Sequence, residues 1–117
     1  MSAITTHILD VSRGRPASGV EVTLEIAEEE EPQRSWRVVG SGRTDDDGRA
    51  GTLVPDATEM LAGLYRLVFE VDEYFADRGV ESFYPRVVVE FDVRDEHQHY
   101  HVPLLLSPFG YSTYRGS

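Results

Sequence analysis

Apolar and polar residues alternate along most of this chain, the pattern expected of β-strands with one buried and one solvated face. The clearest run covers residues 20–26, where Val, Val, Leu and Ile alternate with Glu, Thr and Glu. Residues 65–71 and 87–93 repeat the same period. Shorter candidate strands cover residues 3–11, 36–43, 49–54 and 99–106. Helical periodicity is confined to residues 72–79, which predict one or two helical turns.

Turn-forming residues separate these runs. Turn signals lie at residues 12–18, 28–33 and 45–48, and Gly63 precedes another run. Short strands with regular turn signals between them favour a sandwich over alternating strand and helix units. We therefore predict an all-β fold, an antiparallel β-sandwich of seven to eight strands with one short helix. A chain of 117 residues suits one domain with one core, spanning residues 1–117.

Composition removes several functional classes. The chain has no cysteine, and all eleven basic residues are arginine, which excludes disulfides, thiolate chemistry and lysine Schiff bases. A net charge of −10 argues against nucleic acid and anionic membranes as partners. The acidic run Glu28–Glu31 is most simply a charged loop. No apolar run approaches the ~18 residues of a membrane span, and no secretion signal is visible, so we expect a cytoplasmic protein.

Three of the four histidines occur as His97, His99 and His101, directly before an apolar run. In a strand, this spacing would place the three imidazoles on one face, with Tyr100 and Val102 on the other. Alternate histidines of one strand can form part of a zinc site, and the fourth histidine is a further potential ligand. No cysteine or obvious carboxylate completes the set, so the spacing is weak evidence for zinc.

His7 lies in the first predicted strand, on the face opposite Ile4, Thr6 and Ile8. A lone strand histidine is most often structural, but a neutral imidazole can accept a proton from water near pH 7. We therefore treat His7 as a candidate base.

Arg49 follows an Asp-Asp-Asp-Gly turn, which a hairpin tip carrying a solvated arginine would also explain. The turn does not fit a calcium loop. With Gly48 at position six of an EF-hand, Arg43 and Val54 would occupy positions one and twelve, where neither can act as a ligand.

Four segments together resemble one known family, the transthyretin-related 5-hydroxyisourate hydrolases. The chain ends in Tyr-Arg-Gly-Ser after a His-Tyr-His-Val-Pro-Leu-Leu-Leu strand, as the chains of that family do. The other three segments are Thr6–Asp10 followed by Gly19-Val20, Thr44–Arg49 with its Asp-Asp-Asp-Gly turn, and Glu81–Pro85. The resemblance spans nearly the whole chain, and residues 28–32 are the one stretch that departs from it.

The resemblance implies a transthyretin-like sandwich and a reaction. The reaction is ring-opening hydrolysis of 5-hydroxyisourate at the amide of its six-membered ring, giving 2-oxo-4-hydroxy-4-carboxy-5-ureidoimidazoline in urate breakdown. No metal and no cofactor are implied, and the implied assembly is a homotetramer, a dimer of dimers, with sites at subunit interfaces. The implied residue roles are water activation by His7 and His101, substrate binding and polarisation by Arg49, closure of the site by Tyr114 and Ser117, and support from His99 and Arg115.

His97 has no implied role and is expected on the surface. Three alternatives stay open at this point: a non-enzymatic small-molecule carrier like transthyretin, a zinc-dependent hydrolase using the histidine-rich strand, and a carbohydrate-binding or adhesive sandwich. A carrier channel needs neither the Tyr-Arg-Gly-Ser ending nor the set of His7, Arg49 and His101. An adhesive module is expected to be secreted.

Overall fold

The structure is a computed structural model that describes residues 3–28 and 34–117. Residues 29–31 of the predicted acidic loop lie outside the described residues. The described elements are β1 (Ile4–Asp10), β2 (Arg15–Pro16), β3 (Glu21–Ala27), β4 (Trp36–Arg43), β5 (Arg49–Ala50), β6 (Gly63–Phe69), α1 (Val71–Ala76), β7 (Val87–Val93), β8 (Tyr100–Ser107) and β9 (Gly110–Thr113).

The strands form two sheets, which confirms the predicted sandwich with one short helix. The first sheet has the order β2-β1-β8-β9, and β5 also pairs with β1; the second has the order β4-β3-β6-β7. Every pairing is antiparallel except that of β1 with β8, which is parallel over seven residue pairs. Alternation along a strand predicts its buried face but not the neighbouring strand, so this parallel pair could not be predicted from the sequence.

The core lies between the two sheets and is filled by the alternating apolar residues. Ile8, Leu24, Leu67, Phe69 and Leu104 are fully buried there. Burying side chains of this kind contributes roughly 1.5–3 kcal/mol each. Because the space between the sheets is occupied by packed side chains, reactive groups must lie on an outer face.

Three strands differ from the prediction. The strand predicted over residues 49–54 ends at Ala50, although Leu53 and Val54 remain buried. A Cβ at Gly40 would lie 2.0 Å from the Leu53 carbonyl oxygen, so this segment packs directly on the backbone of β4 instead of pairing beyond Ala50. The other two are β2, which lies within the predicted turn at residues 12–18, and β9, which lies in the tail where no strand was predicted.

Helix α1 is tied to β1 by side chains. Tyr74 and Phe75 are buried, and the Tyr74 hydroxyl donates a hydrogen bond of 2.8 Å to the buried carboxylate of Asp10. A helix this short is not stable alone, so these contacts hold it. Within the described residues, no helix has the length and apolar character needed to cross a membrane.

Candidate active site

The predicted catalytic residues meet on the outer face of the first sheet. In β1, Ile4, Thr6 and Ile8 are buried, while Thr5 and His7 alternate with them and face outward. His7 is the register partner of Arg49 in β5, and Thr5 is the register partner of His101 in β8. Directly paired residues point to the same side of a sheet. Strand register therefore places residues from three distant parts of the sequence together.

The Asp-Asp-Asp-Gly turn fixes the position of Arg49. The Asp45 carboxylate accepts hydrogen bonds from the backbone N–H groups of Asp47 (2.9 Å) and Arg49 (3.0 Å). The hydrogen bond from the Arg49 backbone is the largest cause that lowers the pKa of Asp45 below its usual value. The turn is therefore braced by an ionised side chain.

Gly48 docks this turn onto β1. Its φ is +78°, and its carbonyl accepts a 2.8 Å hydrogen bond from the Ile8 backbone N–H. A Cβ at Gly48 would lie 2.5 Å from the Ile8 carbonyl oxygen, so both the conformation and the close approach require glycine. The hairpin-tip interpretation is wrong, because β4 and β5 belong to different sheets and the turn carries the chain from one to the other. Arg49 consequently begins a strand beside His7.

His101 lies near the start of β8 and is partly buried. Its Nδ1 is 2.8 Å from the Thr5 hydroxyl, which is also 3.1 Å from Nε2 of His99. Burial lowers the pKa of His101 below its usual value of 6.5, and positive charge on Arg49, His7 and His99 lowers it further. The imidazole is therefore kept neutral at pH 7, the form that can accept a proton.

The C-terminal tail returns to His101. Pairing between β8 and β9 stops at Leu104 because the preceding residue of β8, Pro103, has no backbone N–H. Pairing resumes as a single bridge in which the Gly116 N–H donates a 2.8 Å hydrogen bond to the His101 carbonyl. The tail is therefore held as an edge strand over Gly110–Thr113 and again beside the candidate base.

Gly116 packs directly against the imidazole. A Cβ at this position would lie 2.6 Å from Cδ2 of His101 and 3.2 Å from Cγ of Pro103. Gly116 is not among the glycines with positive φ, so its backbone conformation does not account for this residue. Close approach of the tail to His101 is the physical reason for this glycine.

A cleft of about 250 Å³ opens at this place, lined by Thr5, Thr6, Arg49, Ala50, Gly51, His99, His101 and Ser117. Its volume is slightly below the roughly 300–1,000 Å³ of typical ligand pockets, which suits a small molecule. The imidazoles of His99 and His101, the guanidinium of Arg49 and Ser117 therefore share one cleft. His7 lies beside Arg49 but does not line the cleft.

Tyr114 and Arg115, two further predicted site residues, do not line this cleft. Tyr114 is 57% exposed and lines a second cavity, also about 250 Å³, which shares His101 with the first. Arg115 anchors the tail, since it donates a 3.1 Å hydrogen bond to the Gln98 side chain and its guanidinium lies 4.9 Å from the Tyr100 ring centre. Within one chain, Tyr114 is therefore not brought to Arg49, and its role in binding substrate stays a prediction.

The three predicted imidazoles do not share one strand face. β8 begins at Tyr100, so His99 lies just before it, and His97 lies in a turn with its side chain 86% exposed. The surface position expected for His97 is thus observed. Among residues 3–28 and 34–117, no group of three or more histidines and carboxylates is arranged to hold a metal ion.

Sequence reasoning missed Thr5. One hydroxyl among many carries no sequence signal, and its importance follows only from the parallel pairing that sets it opposite His101.

Comparison with known proteins places this chain among proteins of one family. The family model described as HIUase/Transthyretin family matches residues 4–116. A Caenorhabditis elegans protein named probable 5-hydroxyisourate hydrolase is 48% identical over 116 residues, covering 99% of this chain and 82% of that relative.

Solved structures agree with this match. The 5-hydroxyisourate hydrolase of Klebsiella pneumoniae has a TM-score of 0.79 and 38% identity, covering 100% of this chain and 94% of that one. Sea bream transthyretin in complex with thyroxine has a TM-score of 0.85 and 30% identity, covering 97% of this chain and 94% of that one. The backbone is therefore similar to hydrolase and carrier alike, and the side chains must distinguish the two.

Proposed function

Since the chain belongs to the HIUase/Transthyretin family, we infer that it is a hydrolase that opens the ring of 5-hydroxyisourate in urate degradation. The observation that carries this conclusion is the meeting of His7, Arg49 and His101 on one sheet face. A base kept neutral beside a guanidinium suits attack of water on a carbonyl whose oxygen becomes negative.

The mechanism follows from these groups. Arg49 binds the anionic substrate and stabilises the charge that develops on the attacked carbonyl oxygen. His101, with His7 nearby, accepts a proton from water as the water oxygen bonds to the carbonyl carbon. The carbon–nitrogen bond of the six-membered ring then breaks, and the departing nitrogen receives a proton from the imidazolium. The product, 2-oxo-4-hydroxy-4-carboxy-5-ureidoimidazoline, leaves with a new carboxylate. Water supplies every added atom, so no metal or cofactor enters the proposal.

The rival function is a carrier like transthyretin, favoured by the backbone similarity alone. Two observations support the hydrolase instead. The cleft is lined by titratable groups, His99, His101 and Arg49, and covering them with an apolar ligand would remove them from water at a cost in free energy. The Gly116 bridge also brings the terminal residue Ser117 to the same cleft.

A homotetramer, a dimer of dimers, is part of the proposal. Exposed aromatic side chains support an interface: Phe83 is 70% exposed, Phe109 65% and Tyr111 42%. Tyr84 joins Phe83 and Tyr111 by edge-to-face contacts with ring centres 5.0 and 5.2 Å apart. Exposed apolar clusters of this kind mark association surfaces. The cleft also lies on an open outer face, where a second subunit would exclude water. A cytoplasmic location is proposed with it, consistent with the absence of cysteine.

The test is direct. Urate oxidase converts urate to 5-hydroxyisourate, whose ultraviolet absorbance decays, and the protein should accelerate that decay at micromolar concentration or below. Thyroxine binding, measured by calorimetry on the same preparation, is the control for the carrier. No acceleration, or tight thyroxine binding without acceleration, would overturn the hydrolase. Sedimentation at the assay concentration tests the assembly, and a fully active monomer would refute the interfacial site.

A further inference from the structure

One hydroxyl links two imidazoles on the outer face of the first sheet. Thr5 Oγ1 lies 2.8 Å from Nδ1 of His101 and 3.1 Å from Nε2 of His99, both within hydrogen-bond distance. The contacts join residues 94 and 96 positions apart in the chain. They depend on the parallel register of β1 and β8, which sets Thr5 opposite His101.

The chemistry of a hydroxyl limits how these groups connect. A hydroxyl donates one hydrogen, and a neutral imidazole carries one N–H and one acceptor nitrogen. With both rings neutral, two arrangements place the Thr5 hydroxyl proton between the rings and so connect them. In the first, His101 Nδ1–H donates to Thr5, and Thr5 donates to Nε2 of His99. In the second, every hydrogen bond is reversed. Only the first leaves Nε2 of His101 with a lone pair for water.

We propose that Thr5 is a positioning residue that holds His101 with Nε2 unprotonated and connects it to His99 for proton transfer. This inference rests on the proposed function, because it assigns how the base of that reaction is prepared. His99 is exposed, whereas His101 is partly buried beside Arg49, so a positive charge is better solvated on His99.

The transfer is balanced and reversible. When water attacks, its proton binds Nε2 of His101, the proton on Nδ1 passes to Thr5, and the former hydroxyl proton passes to Nε2 of His99. The charge then resides on His99, and His101 is neutral with its proton on Nε2. When the ring nitrogen departs, it takes that proton, and the two transfers run backward. The three side chains return to their starting state, and the transferred proton ends on the product.

The charged groups near His101 act on it through their charge. His7 on β1 and Arg49 on β5 line the same cleft or adjoin it. Thr5 is the residue that the structure hydrogen-bonds to Nδ1. The hydroxyl should therefore have an effect that these charges cannot replace.

Two substitutions of Thr5 distinguish the effect of its hydroxyl on activity from any effect on folding. Thr5→Val keeps the shape of the side chain without the hydroxyl, and Thr5→Ser keeps the hydroxyl. Thr23→Val is the matched control, because it replaces the same side chain by the same residue on the outer face of the second sheet. We expect Thr5→Val to lower kcat by about 10–100-fold with KM nearly unchanged. This loss would be a part of the rate enhancement of about 10²–10⁴-fold that general acid–base catalysis contributes. Thr5→Ser and Thr23→Val should stay within about threefold of wild type.

A double substitution tests the connection to His99. If the two residues act in one path, Thr5→Val combined with His99→Asn should cost no more than the larger single loss. Losses that multiply would overturn the link. Equal losses in Thr5→Val and Thr5→Ser, with melting temperatures unchanged, would overturn the role of the hydroxyl.

Nuclear magnetic resonance tests the tautomer without any substrate. The chain has only four histidines, so ¹⁵N-histidine labelling gives four sets of long-range ring correlations. We expect neutral His101 to carry its proton on Nδ1 in the wild type and to shift toward the Nε2–H form in Thr5→Val. An unchanged tautomer would refute the inference. Because this measurement needs no hydrolysis, it remains decisive even if the proposed function fails.

Discussion

Replacing Gly116 by alanine tests whether the tail holds His101 in its catalytic position. The new Cβ would lie 2.6 Å from Cδ2 and 3.3 Å from Cγ of His101, and 3.2 Å from Cγ of Pro103. Pro103 is a rigid buried neighbour, so it cannot move aside. Either the imidazole must rotate, or the tail must leave and take Ser117 out of the cleft.

The size of the effect follows from these distances. Carbon atoms in contact lie about 3.5–4.0 Å apart, so the ring or the tail must shift by roughly 1 Å. A displacement of about 1 Å at a reacting centre costs about 10²-fold in rate. That loss corresponds to about 2.7 kcal/mol of activation free energy. The free energy of unfolding should change little, because the alanine adds no burial and the tail lies at the surface.

The assay is decay of 5-hydroxyisourate generated by urate oxidase, with thermal melting measured alongside. Gly110→Ala is the matched control, because its Cβ would meet only the Ser107 hydroxyl at 3.7 Å, an ordinary contact. We expect Gly110→Ala to retain nearly full activity and Gly116→Ala to lose about 10²-fold at an unchanged melting temperature. Activity of Gly116→Ala equal to that of the control would refute the reasoning.

The same assay tests four further predictions, and unfolding measurements test a fifth. His101→Asn should lose about 10²–10⁴-fold while His97→Asn is nearly silent; equal losses would show that the wrong histidine was chosen. The acid limb of kcat/KM should lie below pH 6.5, since burial and nearby positive charge lower the pKa of His101, and a limb above 6.5 would contradict this. Because the pKa of His101 is lowered in the folded protein, the unfolded chain binds the His101 proton at a higher pH than the folded protein does. The free energy of unfolding should therefore also fall as the pH drops below 6.5. Exhaustive chelation should leave activity intact, whereas loss restored by zinc would favour the metal alternative. Deleting residues 114–117 should abolish hydrolysis without unfolding the sandwich; an active truncated protein would make the tail purely structural.

Much of the fold could be predicted because burial on one side of a strand leaves a period of two in the sequence. Trp36–Arg43 was predicted with its observed bounds, and the short helix was located within three residues at either end. The missed strand β9 has no alternation to detect, since its residues Gly110–Thr113 are largely exposed on an edge. The parallel pairing of β1 with β8 joins opposite ends of the chain and leaves no local pattern.

The candidate site also contains residues that could be predicted from the sequence and residues that could not. His7, Arg49 and His101 were identified by motif, and the structure adds why they meet, namely the register between strands. Thr5 and the contact of Gly116 with His101 were beyond prediction, because both are defined by distances across the sheet. Residues that carry chemistry are recognisable by type, whereas residues that position them are recognisable only by contact.

The location of the site also connects the chemistry to the assembly. The interior is filled by side chains such as Leu24, Leu67 and Leu104, so it has no room for a substrate. The reactive groups lie instead on the outer face of the first sheet, in an open cleft where bulk water screens charge. Arg49 can stabilise a developing negative charge strongly only when that water is excluded. The single chain has no described segment that covers the cleft, so a second subunit is the natural cover. If the protein is an active hydrolase, it should therefore be an oligomer whose dissociation and inactivation occur together on dilution.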